Sequence, residues 1–408
     1  MLYPEDSEID GGRLRIGGCD AAGLAAEFGT PLYVVAEDDL RSRARAFTNA
    51  MGDGEVVFAS KAFPCTAVLK VFHEEGLSVD VASGGELALA QRAGYTGERI
   101  VFHGNAKSAA ELKAAAEAGA RIVVDNFDEL DKLEALQAPV EVMIRVTPGV
   151  VADTHAAILT GHAGSKFGFS LAQAPEAIER LSAATWADLK GLHMHIGSQL
   201  FDLEPWRLAV EAIATLGDFG AYDLGGGHAV AYTAARRPPS VAEYVRTMRS
   251  TADELLGPGK QLSIEPGRAL VATAGVTLYS VESVKDVELE DGRVRFVAVD
   301  GGMSDNMRPM LYDAPYDADL VHKVSEPGTP CTVVGKHCES GDVLIRETTL
   351  PDPKPGDVLA TPVTGAYVYA MANNYNGVPR PPVVFCKDAS ARLVVRRETF
   401  EDLHVRDV

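Results

Sequence analysis

Positive charge is scarce in this chain. Thirty-eight lysines and arginines stand against 58 aspartates and glutamates, a formal net charge of −20 over 408 residues. A surface of that sign repels nucleic acid and anionic membranes, so neither is expected as a partner. Cysteine is sparse too. Cys19, Cys65, Cys331, Cys338 and Cys386 are odd in number and offer no C-x-x-C pair, which argues against a zinc knuckle or a disulfide framework. No apolar run approaches the ~20 residues of a membrane span. The opening MLYPEDSEIDGG lacks a basic segment followed by an apolar one. No secretory signal is read, and a reducing cytoplasm is the expected location.

What the chain does have is a repeated alternation. Between Glu55 and Gly267 eight short apolar runs recur: VVFAS, SVDVAS, RIVFHG, RIVVDN, VMIRV, LHMHIG, YDLGGG and LSIEPG. Most are continuous rather than alternating, as strands buried on both faces are. Helical patterns such as GGELALAQRAG, SAAELKAAAEAG and VAEYVRTMRSTADELLG lie between them. The pattern predicts a (β/α)8 barrel of the TIM type over residues 36–275. After about Gly275 the runs VTLYSVESV, VRFVAVD, CTVVGKH, DVLIRET, DVLATPV, VVFCK and ARLVVRRE follow with few helical stretches. They predict a mostly β C-terminal domain over 276–408. The early runs RLRIGG and PLYVVAE, within residues 1–35 and just beyond, are expected to join it. No internal repeat beyond the alternation and no low-complexity linker is present.

Nearly every barrel run ends in polar or glycine residues, where a barrel builds its active site. Lys61, in FASKAF, can be held in an apolar mouth, where desolvation makes a lysine a usable amine; taken alone, it reads as a solvated lysine. Gly225, Gly226 and Gly227 leave three bare backbones in a row, suited to an anion such as a phosphate. A tight turn alone would need one glycine. Glu265 and Arg268 lie in IEPGR. A carboxylate there suits the ring nitrogen of pyridoxal phosphate (PLP), whose ring serves as an electron sink. His193 and His195 read either as an H-x-H metal pair, as an imidazole packed on a cofactor ring, or as core histidines. Nothing at the other strand ends obviously completes a metal set, so no metal is expected.

In the β region, GKHCESGD gathers His337, Cys338, Glu339 and Asp342. DNMRPMLYDAPY offers Arg308 and Tyr312 at i, i+4, one face of a helical turn. An Arg and a Tyr together suit a carboxylate.

Taken in order, FASKAF, DVASGGEL, HGNAKS, THAAI…SKFGFS, GLHMHIGSQ, DLGGG, IEPGR, VDGGMSDNMRPMLY, VGKHCESGD and GAYVYAMANNYN resemble the diaminopimelate decarboxylase family over about residues 30–380. That family belongs to the alanine-racemase-like PLP enzymes, with a barrel, a β domain and active sites shared across a homodimer. The resemblance implies roles. Lys61 would hold PLP as a Schiff base, with Asp80 nearby in the cofactor set. His195 would stack on the ring. Ser198, Gly225, Gly226, Gly227 and Arg268 would surround the phosphate, with Pro266 and Gly267 in the same loop. Glu265 would pair with the pyridinium nitrogen. Arg268, Arg308 and Tyr312 would grip the substrate's distal carboxylate and Glu339 its distal ammonium. Tyr367 would touch cofactor and substrate. Cys338, from the partner subunit, would reprotonate the α-carbon. The implied reaction is decarboxylation of meso-2,6-diaminopimelate to L-lysine and CO2, the last step of lysine biosynthesis.

Two stretches depart from the family pattern: HAVAY after the triple glycine, which introduces His228, and GHAGSKFGF before its Ser-Lys-Phe-Gly core. His228 either adds a charge beside a phosphate or fills space. The alternatives are a decarboxylase of a related or modified amino acid, an amino-acid racemase of the same architecture, a PLP-binding protein without catalysis, and a metal-dependent barrel hydrolase. Arg308, Tyr312 and Glu339 argue against the first, Glu265 and the Cys338 loop against the second, and the complete β domain against the third. The missing metal ligands argue against the last.

Overall fold

The computed structural model describes residues 2–150, 164–234, 236–290 and 292–408. The chain divides into two compact units. One holds Met1–Leu40, Ala231–Arg236 and Val271–Val408, the other Arg41–Val230 and Arg237–Leu270.

The second unit is an eight-stranded parallel barrel. Its strands are β1 (Glu55–Ala59), β2 (Ser78–Val81), β3 (Ile100–Phe102), β4 (Arg121–Val124), β5 (Val140–Thr147), β6 (Ala187–His193), β7 (Ala221–Asp223) and β8 (Gln261–Ile264). Each pairs with the next, and β8 returns to β1 with Ser263 opposite Glu55 and Ile264 opposite Val56, closing the cylinder. All eight predicted runs supply a strand. Val57, Val101, Val123 and Met143, from β1, β3, β4 and β5, form one buried cluster with Ala221 of β7 packed on it. Only a closed cylinder brings those strands together. Its interior is filled, so chemistry is confined to its rim.

Part of the polar decoration at the strand ends has a plainer purpose than the sequence suggests. Ser83, Ser108, Asn126 and Ser240 each accept a hydrogen bond from the backbone N–H of Glu86, Glu111, Glu129 and Glu243. Such side chains satisfy donors that a helix start leaves unpaired, each worth about 1 kcal/mol.

The other unit is built on a sheet that includes β9 (Gly275–Leu289), β10 (Gly292–Val299), β11 (Thr329–Val334), β12 (Val343–Leu350), β13 (Val358–Pro362), β14 (Val383–Lys387) and β15 (Ser390–Val395). The strand Leu32–Ala36, within PLYVVAE, lies between β9 and β14, antiparallel to the former and parallel to the latter. RLRIGG also supplies a strand in the unit of the β sheet, in a small sheet of its own. Arg13–Ile16 forms a separate three-stranded sheet with Glu8–Asp10 and Cys19–Asp20. Leu14 and Ile16 still share a core with Val276, Leu278 and Val384. Among the described residues no helix is long and apolar enough to cross a membrane.

Candidate active site

Glu265 follows β8 at the barrel rim and is buried. Its two oxygens have separate partners. Oε1 lies 2.6 Å from Nε2 of His103, just past β3, and Oε2 lies 3.0 Å from Nε2 of His193, which ends β6. Burial alone would push this carboxyl up, but the two imidazoles outweigh it and hold Glu265 well below the usual carboxylate range. Glu265 is therefore ionised. His193 is itself driven down to about 4 by burial, so it is neutral and must donate its Nε2–H to the carboxylate. Nearby Asp223 is pushed well above its ordinary range by burial and then by the charge of Glu265. Asp223 holds a proton while Glu265 holds the charge, the expected split when two buried carboxyls interact.

Lys61 lies in a short 3-10 turn, Ser60–Ala62, directly after β1. Its Nζ stands 3.6 Å from Oδ2 of Asp80, a buried residue of β2. The Lys61 side chain is 53% exposed.

The triple glycine is explained by close backbone crossings. A Cβ on Gly225 would lie 2.3 Å from the Met194 carbonyl oxygen. One on Gly226 would lie 2.2 Å from that of Glu265, and one on Gly227 2.6 Å from that of Gly197. Gly225 and Gly227 also have φ of +67° and +113°, where side chains are disfavoured. All three glycines are thus required by the way the ends of β6, β7 and β8 pack, contrary to the one-glycine expectation. The N–H of Gly225 donates to Asp223 Oδ1 at 2.8 Å, and that of Gly226 to Nδ1 of His195 at 3.2 Å.

His195 accepts through Nδ1 and is held neutral by burial and then by the charge of Lys61. With His193 on Glu265 and His195 on Gly226, the two imidazoles of the H-x-H motif serve different partners. His103, His193 and Glu265 do bring ligand-type atoms within 4.8 Å of one another. The two Nε2 atoms there are engaged with the carboxylate. Arg268, a buried cation, donates from Nη2 to Ser198 Oγ at 3.0 Å. His228 fills space: it is buried, stacks on Tyr244 at 4.7 Å and 29°, and bonds through Nε2 to the Pro239 carbonyl at 2.8 Å. Residues 151–163, with THAAI and most of the altered 161–165 loop, lie outside the described residues.

The β unit carries its own cluster. Arg308 and Tyr312 open and close a short helix, Arg308–Tyr312. Arg308 is buried, and its Nη1 donates to the hydroxyl of Tyr316. The GKHCESGD loop is pinned from beneath. Asp342 accepts from the N–H of Met303 at 2.7 Å and of His337 at 2.9 Å, and His337 Nε2 lies 2.8 Å from Ser304 Oγ. This leaves Cys338 and Glu339 exposed at the tip. The N–H of Cys338 donates to Asn376 Oδ1 at 3.3 Å, and Glu339 accepts from the hydroxyl of Tyr375. Tyr367 has φ +66°, a strained value for a bulky residue and common at functional positions.

The barrel's donor set fits PLP. It offers an amine beside a carboxylate for the aldehyde, an ionised and immobilised carboxylate for a pyridinium nitrogen, a neutral imidazole, and an Arg–Ser pair beside a turn that needs three glycines. His103 was not singled out from the sequence. Its only signal there was its position in HGNAKS at a strand end.

Comparison with known proteins agrees with this chemistry. Residues 37–272 match the family model for the pyridoxal-binding domain of pyridoxal-dependent decarboxylases. The chain is 48% identical to a diaminopimelate decarboxylase of Actinosynnema pretiosum subsp. auranticum, covering 100% of this chain and 95% of that one. It is 45% identical to the diaminopimelate decarboxylase of Bacillus subtilis, covering 99% and 97%. The crystal structure of diaminopimelate decarboxylase from M. jannaschii in complex with L-lysine superposes with a TM-score of 0.91 at 33% identity, over 100% and 99% of the two chains.

Proposed function

This chain belongs to the diaminopimelate decarboxylase family of pyridoxal-dependent decarboxylases, and we infer from that membership and from its own donor set that it converts meso-2,6-diaminopimelate to L-lysine and CO2. It is a PLP-dependent carboxy-lyase of lysine biosynthesis. The observation in its own residues that carries the reading is Glu265, ionised and fixed between His103 and His193. When bound, PLP supplies a pyridinium ring that takes up the electron pair left on the α-carbon as CO2 departs. A fixed anion keeps such a ring nitrogen protonated, which a decarboxylase needs and a racemase can do without.

The remaining assignments are our reading of the residues. Lys61 holds the cofactor's aldehyde carbon, and Asp80 orients the amine. His195 packs on the ring as a neutral imidazole. Arg268, Ser198 and the Gly225–Gly227 turn hold the phosphate, with Pro266 and Gly267 shaping the loop beside it. Arg268, Arg308 and Tyr312 bind the substrate's distal carboxylate, Glu339 its distal ammonium, and Tyr367 bears on cofactor and substrate. Cys338, delivered from a second copy of the chain in a cytoplasmic homodimer with shared sites, returns a proton to the α-carbon. Support for Arg308 is its burial as a cation paired with a phenol. Support for Cys338 is its exposure at the tip of a braced loop.

The test is a comparison of substrates. The holoenzyme is given meso-diaminopimelate, L-ornithine or L-lysine, and CO2 release is followed. Release from diaminopimelate alone is expected. Preferential release from ornithine or lysine would overturn the substrate assignment.

A further inference from the structure

Arg308 sits in an aromatic clamp. Its guanidinium carbon lies 4.6 Å from the ring centroid of Tyr232 and 5.6 Å from that of Tyr316. Its Nη1 donates to the Tyr316 hydroxyl. The two rings meet edge to face at 5.3 Å and 82°. All three residues are buried, 4–5% exposed. Tyr232 comes from Ala231–Arg236, the short segment after the glycine turn that folds with the β unit. Among the described residues of that unit, no carboxylate forms an ion pair with Arg308.

A buried guanidinium normally has an acidic partner, because an uncompensated charge is costly. Here two neutral phenols take that place. Ring faces attract a cation without cancelling its charge. The Tyr316 hydroxyl uses one donor of a rigid five-donor fork and fixes the plane of the rest. The result is an oriented cation left with charge to offer. A distal carboxylate satisfies it. An amino acid with only an ammonium at that end is repelled by it.

We propose that Tyr316 and Tyr232 are positioning residues that hold Arg308 as an oriented, uncompensated cation, and that this clamp sets the selectivity for an amino acid carrying a second carboxylate. The inference rests on the substrate reading above. Selectivity of this kind follows from the cost of leaving a polar group unmatched rather than from added attraction.

The experiment measures kcat and KM of the holoenzyme for meso-diaminopimelate. Alongside it runs kcat/KM for D-lysine, which has the same reacting centre and no distal carboxylate. Tyr316→Phe should raise KM for diaminopimelate about tenfold, the loss of one hydrogen bond to a charged group. Its kcat should stay within about twofold, because the affected contact lies away from the reacting carbon. The preference for diaminopimelate over D-lysine should shrink in proportion to the KM change. Tyr232→Leu should act in the same direction, and Tyr232→Phe, which keeps the ring face, should largely restore the wild-type KM. An unchanged KM in Tyr316→Phe, or an equal loss on both substrates with a lowered melting temperature, would overturn the clamp while leaving the substrate reading intact. A wild type that releases no CO2 from diaminopimelate would overturn both.

Discussion

Nε2 of His103 lies 2.6 Å from Oε1 of Glu265, with both side chains buried at the barrel rim. A hydrogen bond of this length to a carboxylate is a strong one. Together with His193 on the other oxygen, it fixes both the charge and the orientation of Glu265. Glu265→Gln removes the charge and turns an amide N–H₂ toward one imidazole donor. We expect kcat to fall by roughly 10²-fold, the scale for loss of a preorganised electrostatic group, while the protein still takes up PLP. His103→Gln, which can still donate, should cost about tenfold or less. Steady-state kinetics with cofactor content read from absorbance checks both.

The pH dependence of stability follows from His193. Its folded value is about 4, held down by burial, against 6.5 when unfolded. Between those values the unfolded chain binds more protons than the folded one. Stability therefore falls as pH drops from 6.5 toward 4 and levels off below. The loss from this residue is on the order of 3 kcal/mol at most. His193→Gln keeps a donor for Glu265 and cannot titrate. Its urea midpoint should decline less steeply over that window than the wild type's. Parallel declines would contradict the assignment.

A buried ion pair joins the segment after β3 to the helix Phe127–Leu136 that follows β4. Lys107 Nζ lies 2.7 Å from Glu129 Oε1, with both side chains 2% exposed. It also donates to the carbonyls of Gly104 at 2.7 Å and Val123 at 2.9 Å. Lys107→Met would leave the Glu129 carboxyl buried without its cation. A loss of roughly 3–5 kcal/mol is expected, the usual cost of breaking such a pair. Thermal or urea denaturation measures it.

The proposed sharing of sites across a homodimer makes a separate prediction. Lys61→Ala and Cys338→Ala should each be inactive or nearly so, since a general acid contributes roughly 10²–10⁴-fold. Unfolded together and refolded as mixed dimers, they should regain up to about a quarter of wild-type activity, because half the dimers are then mixed and each has one intact site. No recovery, despite mixed dimers shown by mass spectrometry, would contradict delivery of Cys338 from a second copy.

Much of this architecture was legible in the sequence, because buried parallel strands must be apolar along their length. VVFAS and RIVVDN became β1 and β4, and PLYVVAE supplied a strand of the β sheet. What was not legible depends on contacts between distant segments. His103 and Glu265 are 162 residues apart, and only barrel closure brings them together. The crossings of Gly225, Gly226 and Gly227 over the carbonyls of Met194, Glu265 and Gly197 have no local signature. Strand–helix alternation could not show that Tyr232 folds with the β unit.

The most direct test of the central claim compares the wild type with Lys61→Ala, each supplied with PLP and meso-diaminopimelate. Absorbance near ~420 nm, expected for PLP held by a lysine, is recorded together with CO2 and lysine. The wild type should show the band and release CO2 and L-lysine in equal amounts, and Lys61→Ala should do neither. A wild type without the band, or a Lys61→Ala protein that still makes lysine, would contradict it.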